Sequence, residues 1–307
     1  MAESSGELTV ALVTYAARPE VTDDDRLLAS ALAARGVRAL AVPWSDADTD
    51  WRAFEAIVVR SCWDYFLRAD EFFAWLTALE SIGAPVHNPV ATLRWNADKR
   101  YLRDLEQQGV PVVPTRWVEP GETVSLLALR RRTGWSELVV KPAISGSAHD
   151  TWRSSPGGEG ADDARLAAMS AARGVVLVQP LVDVIPDEGE WSIVFIDGAY
   201  SHAVLKRPRA GDFRVQEEHG GTVECIRPPE QVIAQARAAL AAAQQPEGAR
   251  GEMLYARVDG CVVDGELLLM ELELIEPVLF LGTSPDAAER MADVLTARLA
   301  SRVPVSD

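Results

Sequence analysis

Cysteine and histidine are scarce in this chain. Three cysteines (Cys62, Cys225 and Cys261) and four histidines are scattered through 307 residues. That excludes a disulfide framework and a Cys/His zinc site, and a reducing cytoplasm is the expected setting. No apolar run approaches the roughly 18 residues needed to cross a bilayer, so no membrane partner is expected. The opening MAESSGELTVALVTY has neither a basic region nor a small-residue cleavage site, and no signal peptide is expected. Basic residues are outnumbered, 30 Lys and Arg against 46 Asp and Glu, for a net charge of −16. Such a surface lacks the basic footprint that a nucleic-acid backbone requires. It still permits a nucleotide triphosphate, which a few local cations can neutralise. Two nucleotide motifs are missing as well. There is no G-x-x-x-x-G-K-[ST] and no G-x-G-x-x-G after the first strand, so neither a Walker loop nor a Rossmann site is supported.

What is present is a regular alternation. Short β-branched apolar runs at 8–15, 37–44 and 54–61 predict strands, and the helical spacing of 23–36 and 71–83 predicts helices between them. With strand-like 84–89, the first 90 or so residues read as a parallel α/β sheet. A helix is expected over 97–109, another near 123–133, a strand at 137–144, a turn-like stretch at 154–163, a helix near 163–173 and a strand at 175–182. Beyond lies a strand-dense region: a hairpin over 190–208 turning at Asp197-Gly198, a helix at 228–244, and strands 253–263 and 265–275 joined by Asp264-Gly265. A last amphipathic helix covers about 285–302.

The hairpin at 253–275 carries two i, i+2 pairs, Arg257-x-Asp259 and Glu271-x-Glu273. Period-two geometry sends both members of a pair to one face. If the register opposes the pairs, three carboxylates and a guanidinium share a layer that invites a hard divalent cation. Either pair alone reads as a solvated hairpin face, but Glu271 and Glu273 alternate with leucines in a strongly apolar strand. Lys141 ends the strand LVVKP beside the small-residue loop starting Ser145-Gly146-Ser147, where an ammonium and backbone amides can meet a phosphate. In isolation it is a surface lysine at a turn. Arg60, Trp63 and Asp64 follow the third strand, at the carboxyl end where parallel sheets bind ligands, and are substrate-pocket candidates. Cys62 reads as a small buried hydrophobe, Glu276 as a solvated loop charge with a substrate-amine contact as the alternative, and His149 as the only histidine near the loop.

The order of these elements carries a resemblance. Asp98-Lys99, then Val-Val-Lys141-Pro, Gln179-Pro-Leu-Val, Glu190-Trp-Ser, Phe213-Arg214 with His219-Gly-Gly, Arg257-x-Asp259 and Glu271-x-Glu273 run as in the ATP-grasp superfamily. The chain is similar to its peptide-ligating and glutathione-synthetase-like branch, and within it to the D-cycloserine-synthetase-like proteins. The resemblance extends over residues 8–302 and implies an α/β pre-ATP-grasp domain at 1–94, an α+β lid at 95–178 and an antiparallel-rich C-terminal lobe at 179–307.

It further implies an ATP-dependent ligase that joins a small-molecule carboxylate to an amine through an acyl phosphate, with two Mg²⁺, for which Mn²⁺ can substitute. Lys99, Lys141 and Lys206 match phosphate-holding residues, with the loop at Ser145, Gly146 and Ser147 above them. Gln179, Pro180, Leu181 and Val182 match the adenine hinge, and Glu190 the ribose-binding acid. Arg257 matches the arginine that stabilises the transferred phosphoryl group, and Arg214 the one that helps hold the acyl phosphate or the substrate. Asp259, Glu271 and Glu273 match the metal ligands, although Glu273 stands where Asn is commoner. A homodimer is compatible with this reading. Two other classes compete with it: a non-catalytic ATP-binding regulator on the same fold, and an acidic interaction protein.

Overall fold

A computed structural model describes residues 8–212, 214–215, 220–244 and 252–301. The N-terminal part builds a parallel sheet from β1 (Leu8–Thr14), β2 (Val37–Pro43), β3 (Ala56–Val59) and β4 (Val86–His87), in the order β2-β1-β3-β4. Helices α1 (Asp23–Ala33) and α2 (Ala69–Ser81) connect its strands. The Thr22 hydroxyl accepts the Asp25 amide at 3.1 Å and starts α1, whose first turn carries three aspartates suited to the positive end of the helix.

The expected helix over 97–109 is shorter and is preceded by another. Helices α3 (Val90–Asn96) and α4 (Tyr101–Gln107) flank a break at Lys99, whose amide donates to the Ala143 carbonyl at 2.9 Å. That long-range bond takes the donor a continuous helix would use, and the Lys99 side chain is buried. The second sheet runs β5-β8-β6-β7, from β5 (Arg116–Val118), β6 (Leu138–Pro142), β7 (Trp152–Ser154) and β8 (Val176–Pro180). Helices α5 (Leu126–Thr133) and α6 (Glu159–Arg173) belong to it. Helix α6 begins inside the stretch read as turn-like, where Glu159 and Asp162 favour a helix start. The sequence boundary at 178/179 falls within β8, because Gln179 and Pro180 still pair with Val139 and Leu138.

The third sheet is antiparallel, β11-β10-β9-β12-β13. It comprises β9 (Glu190–Ile196), β10 (Ala199–Arg207), β11 (Thr222–Cys225), β12 (Tyr255–Val263) and β13 (Glu266–Glu273), accompanied by α7 (Ile185–Glu188), α8 (Glu230–Gln244) and α9 (Ala287–Ala300). Both Asp-Gly turns occupy the left-handed region, Asp197 at φ 52° and Gly198 at 73°, Asp264 at 51° and Gly265 at 84°. That geometry matches the twist of the strands it joins.

The first and third sheets share a core. Val10, Leu12 and Leu28 pack with Val194, Ile196, Tyr255 and Leu295. Buried Asn88 accepts the Leu254 amide at 2.6 Å and donates to the Tyr255 and Leu274 carbonyls, which stitches the end of β4 to β12 and the end of β13. Among the described residues no helix is long and apolar enough to cross a membrane.

Candidate active site

The site grows from the β12–β13 register, in which Arg257 opposes Glu273 and Asp259 opposes Glu271. Directly after Asp259 the register shifts at a bulge. A Cβ on Gly260 would lie 2.6 Å from the Leu268 carbonyl, so only glycine fits there. The bulge sets the two pairs opposite each other, so the condition left open by the spacing is met and the four charged side chains share one layer. Arg257 binds Asp259 through Nε at 3.0 Å and Nη2 at 2.9 Å, donates to the Val278 carbonyl at 2.8 Å, and pairs with Glu273. The Ser192 hydroxyl donates to Asp259 at 2.6 Å. Lys99 contacts Glu271 at 3.1 Å and the Ser145 carbonyl at 2.6 Å. Lys206 lies 2.6 Å from Glu190 and 3.8 Å from Asp259.

Burial and charge oppose each other throughout this layer. Burial alone would raise Asp259, but Arg257 and Lys206 outweigh it and hold the carboxyl below its ordinary value. Lys99 and Lys141 do the same for Glu271. Glu273 is pushed up to about 8, chiefly by burial, with Arg257 opposing and Asp259 and Glu271 adding to the rise. Burial lowers Lys141 against the pull of Glu271, with Lys99 reinforcing the drop. Among the described residues no three His, Cys, Asp or Glu side chains converge as a ready metal cage. Here the carboxylates turn instead to Lys and Arg. Their hard oxygen donors on one face still suit Mg²⁺, which takes one or two carboxylates and completes its shell with water and phosphate oxygens.

These groups line one cavity of about 320 Å³, and Arg214, Trp63, Lys141 and the hinge residues Gln179 to Val182 line it too. One part is apolar, walled by Val113, Val139, Ile185, Met270 and Leu272. The Gln179 side chain donates to Thr115 at 2.9 Å, and the Leu181 amide donates to the Glu137 carbonyl at 2.9 Å, so both are already engaged. Ser145, Gly146 and Ser147 line the cavity as well. There the backbone enters the left-handed region at Ser147, Ala148 and Asp150. Gly146 lies so close to Phe66 that a Cβ would meet its ring at 2.8 Å. His149 stacks on the same ring with centroids 5.4 Å apart, and Asp150 pairs with Arg173 at 2.8 Å. The loop is thus seated on the N-terminal part of the molecule. Arg214 pairs with Asp212 at 2.9 Å. Phe213 and His219, quoted with it, lie outside the described residues.

Two of the three substrate candidates from the end of β3 do not reach the cavity. Arg60 is 2% exposed, bonded to Asp25 at 2.7 Å and to the Pro277 carbonyl at 3.0 Å, with its guanidinium over the Tyr255 ring. Asp64 accepts the Trp44 indole N–H at 2.7 Å. Trp63 does line the cavity, together with Tyr65. Cys62 is fully buried, and burial pushes its thiol well up, in keeping with an inert core residue. Glu276 is the reverse case. Read from the sequence as a solvated charge, it is half-buried in the cavity lining, and burial pushes it up to about 7. The apolar wall went unseen because Val113, Val139 and Ile185 come from separate segments and no local spacing links them.

Known proteins share this architecture. The family description "D-cycloserine synthetase DcsG, N-terminal domain" matches residues 10–88. The cycloserine biosynthesis protein DcsG of Streptomyces lavendulae is 34% identical over 296 residues, covering 94% of this chain and 98% of that protein. The crystal structure of D-cycloserine synthetase DcsG superposes with a TM-score of 0.84 at 34% identity, over 95% of this chain and 99% of the other. D-alanine–D-alanine ligase from Bacillus anthracis shares the fold at a TM-score of 0.69 and 17% identity, over 96% and 98% of the two chains. With the likeness to DcsG running along nearly its whole length, the chain belongs to the ATP-grasp carboxylate–amine ligases, in the branch of D-cycloserine synthetase.

Proposed function

We propose that this ligase phosphorylates the carboxylate of a small amino-acid-like substrate and closes an amide-type C–N bond, ring-closing in the manner that the name of its D-cycloserine synthetase relative suggests. The observation that carries the reading is a single cavity in which an apolar slot, three lysines and the Arg257–Asp259–Glu271–Glu273 layer meet. The adenine fits the slot beside the hinge. With the Leu181 amide already bonded, the hinge contact falls to Val182. Glu190 takes the ribose hydroxyls, and Lys99, Lys141 and Lys206 take the phosphates under the Ser145–Ser147 loop.

Asp259, Glu271 and Glu273 would hold magnesium, two ions being expected, and the metal would neutralise the triphosphate. The substrate carboxylate oxygen attacks the γ-phosphorus, the bond to ADP breaks, and an acyl phosphate forms. Arg257 stabilises the phosphoryl group in flight, and Arg214 holds the acyl phosphate. The amine then attacks the acyl carbon and phosphate leaves. With the 145–150 loop seated on Phe66, water is kept from the intermediate.

The test is release of ADP and phosphate from Mg·ATP over a panel of amino acids and their derivatives, with product mass distinguishing ring closure from joining of two molecules. Release that depends on one acid, lost in Glu271→Gln, supports the reading. Mg·ATP binding without turnover on any panel member would sink it in favour of a regulator.

A further inference from the structure

Arg257 draws its acceptors from two parts of the chain. Nε and Nη2 meet Asp259 at 3.0 and 2.9 Å, and Nη2 also pairs with Glu273, so those partners belong to the β12–β13 layer. Nη1 instead donates at 2.8 Å to the Val278 carbonyl, on the segment that follows β13. A peptide unit is planar, so a carbonyl oxygen and the amide of the next residue turn together. The amide that shares the Val278 plane is that of Leu279, and it donates to the Asp24 carboxylate at 3.1 Å. One peptide group is thus held at both ends, by a carboxylate from the first turn of α1 and by the guanidinium of the site.

Asp24 grips more than that one amide. Its Oδ1 accepts the Leu281 amide and, at 3.4 Å, the Gly282 amide. Phe280, between the anchored amides of Leu279 and Leu281, has φ 53° and ψ 37°. A bulky residue stays in the left-handed region only where its surroundings over-determine it. Phe280 lines the cavity, and the guanidinium carbon of Arg257 lies 5.7 Å from the centroid of its ring. Asp24 therefore reaches Arg257 twice, through the carbonyl that accepts from it and through the ring beside it, although Asp24 is not in the cavity lining. Its neighbour Asp25 adds a further tie. Asp25 holds Arg60 at 2.7 Å, and Arg60 donates to the Pro277 carbonyl at 3.0 Å, which places Arg60 behind the site rather than in it.

We infer that Asp24 is a positioning residue for phosphoryl transfer, fixing the plane of the Arg257 guanidinium through the Val278–Leu279 peptide and Phe280. The inference rests on the role given to Arg257 in the ligase reading and extends it to the N-terminal part of the molecule. Without Asp24 the Leu279 amide loses its acceptor, the peptide is free to rotate, and Phe280 can leave the left-handed region. The Val278 oxygen then no longer fixes Nη1, and the guanidinium settles by its two carboxylates alone. A misplacement of about 1 Å can cost about 10²-fold in rate. The chain from carboxylate through peptide to guanidinium also polarises the Val278 carbonyl toward the arginine, so each bond strengthens the other.

The experiment uses the full chain with Mg·ADP, with and without aluminium fluoride, a mimic of the phosphoryl group in flight. Calorimetry measures both affinities in wild type, Asp24→Ala, Asp24→Asn, Arg257→Ala and the double variant of Asp24→Ala with Arg257→Ala. Fluoride is expected to tighten the Mg·ADP complex of wild type. Asp24→Ala should reduce that tightening roughly 10- to 100-fold while Mg·ADP affinity stays within a few-fold. Asp24→Asn keeps an oxygen acceptor and should lose less. In the Arg257→Ala background Asp24→Ala should cost nothing more, since its effect runs through that guanidinium. Equal tightening in wild type and Asp24→Ala overturns the inference. So does a loss that recurs in full in the Arg257→Ala background, or one matched by an equal loss of Mg·ADP affinity, since either makes Asp24 merely structural. If Asp24→Ala or Arg257→Ala does not fold, Asp24→Asn and Arg257→Lys complete the same cycle under the same criteria. Wild type that binds Mg·ADP without tightening removes the role of Arg257 under the ligase reading, and the inference with it. Tightening that Arg257→Ala abolishes and Asp24→Ala leaves intact removes the inference alone.

Discussion

Replacing Arg257 with lysine keeps the charge and removes the fork. The guanidinium serves Asp259, Glu273 and the Val278 carbonyl at once, through Nε, Nη1 and Nη2 together. A lysine ammonium is a point donor on a flexible stem and can reach one carboxylate well. Losing about one to two charge-assisted hydrogen bonds, partly replaced, should cost roughly 1–3 kcal/mol of stability. Arg257→Ala goes further, leaving Asp259, 3% exposed, with only Lys206 at 3.8 Å and Ser192. Breaking a buried pair from one side costs about 3–5 kcal/mol. In catalysis the order of the two variants should be the same but the scale larger. An arginine that stabilises a transferring phosphoryl group acts more strongly in the transition state than in the ground state, so its loss lowers kcat and leaves ATP affinity within a few-fold. A fall of roughly 10²–10⁴ in kcat is expected for Arg257→Ala, with Arg257→Lys already impaired. Thermal unfolding reads the first effect, and steady-state kinetics in ATP read the second, on the substrate found by the release panel. If both variants raise KM for ATP and leave kcat unchanged, Arg257 is a ground-state clamp and the reasoning is wrong.

Three further outcomes are expected. Lys141→Ala should weaken Mg·ATP binding far more than adenosine binding, as calorimetry would show, since only the phosphates need the ammonium; equal losses would place Lys141 elsewhere. Glu271→Gln should fold and bind adenosine yet turn over at least about 10²-fold more slowly, the scale of losing an electrostatic stabiliser. Near wild-type turnover at saturating Mg²⁺ would make that carboxylate structural. Gly146→Ala drives a methyl group to 2.8 Å from the Phe66 ring, which should lift the loop from its seat. ADP release would then exceed amide formation as water reaches the intermediate, and a ratio unchanged from wild type would mean the contact with Phe66 does not seal the site.

The charged layer was only half legible. Strict alternation puts each i, i+2 pair on one face, but the Asp264-Gly265 turn with unbroken pairing would set 259 against 270 and 257 against 272; the one-residue bulge after Asp259 is what brings 259 opposite 271 and 257 opposite 273. The bulge after Asp259 was invisible, since it depends on how close Gly260 comes to the Leu268 carbonyl. The break before α4 was missed for a similar reason, because the partner of the Lys99 amide is Ala143, forty-four residues later. The rule that ligands lie beyond the carboxyl ends of parallel strands found the right neighbourhood and one of its three side chains. Asp25 on α1 claims Arg60, and Trp44, just after β2, claims Asp64, which leaves Trp63 alone of the three candidates in the cavity lining. Glu276 was misjudged because a charge after an apolar strand usually meets solvent. The bonds from Trp63, Arg60 and Asp24 that draw its segment inward come from the other end of the chain.

Trapping the activated acid tests the central claim most directly. The full chain is incubated with Mg·ATP, the acid identified by the release panel, and hydroxylamine in place of the amine, and hydroxamate is measured against ADP. The account predicts hydroxamate formed in step with ADP, absent without ATP, and lowered at least about 10²-fold in Glu271→Gln. ADP released without hydroxamate, or AMP and pyrophosphate in place of ADP and phosphate, would contradict it.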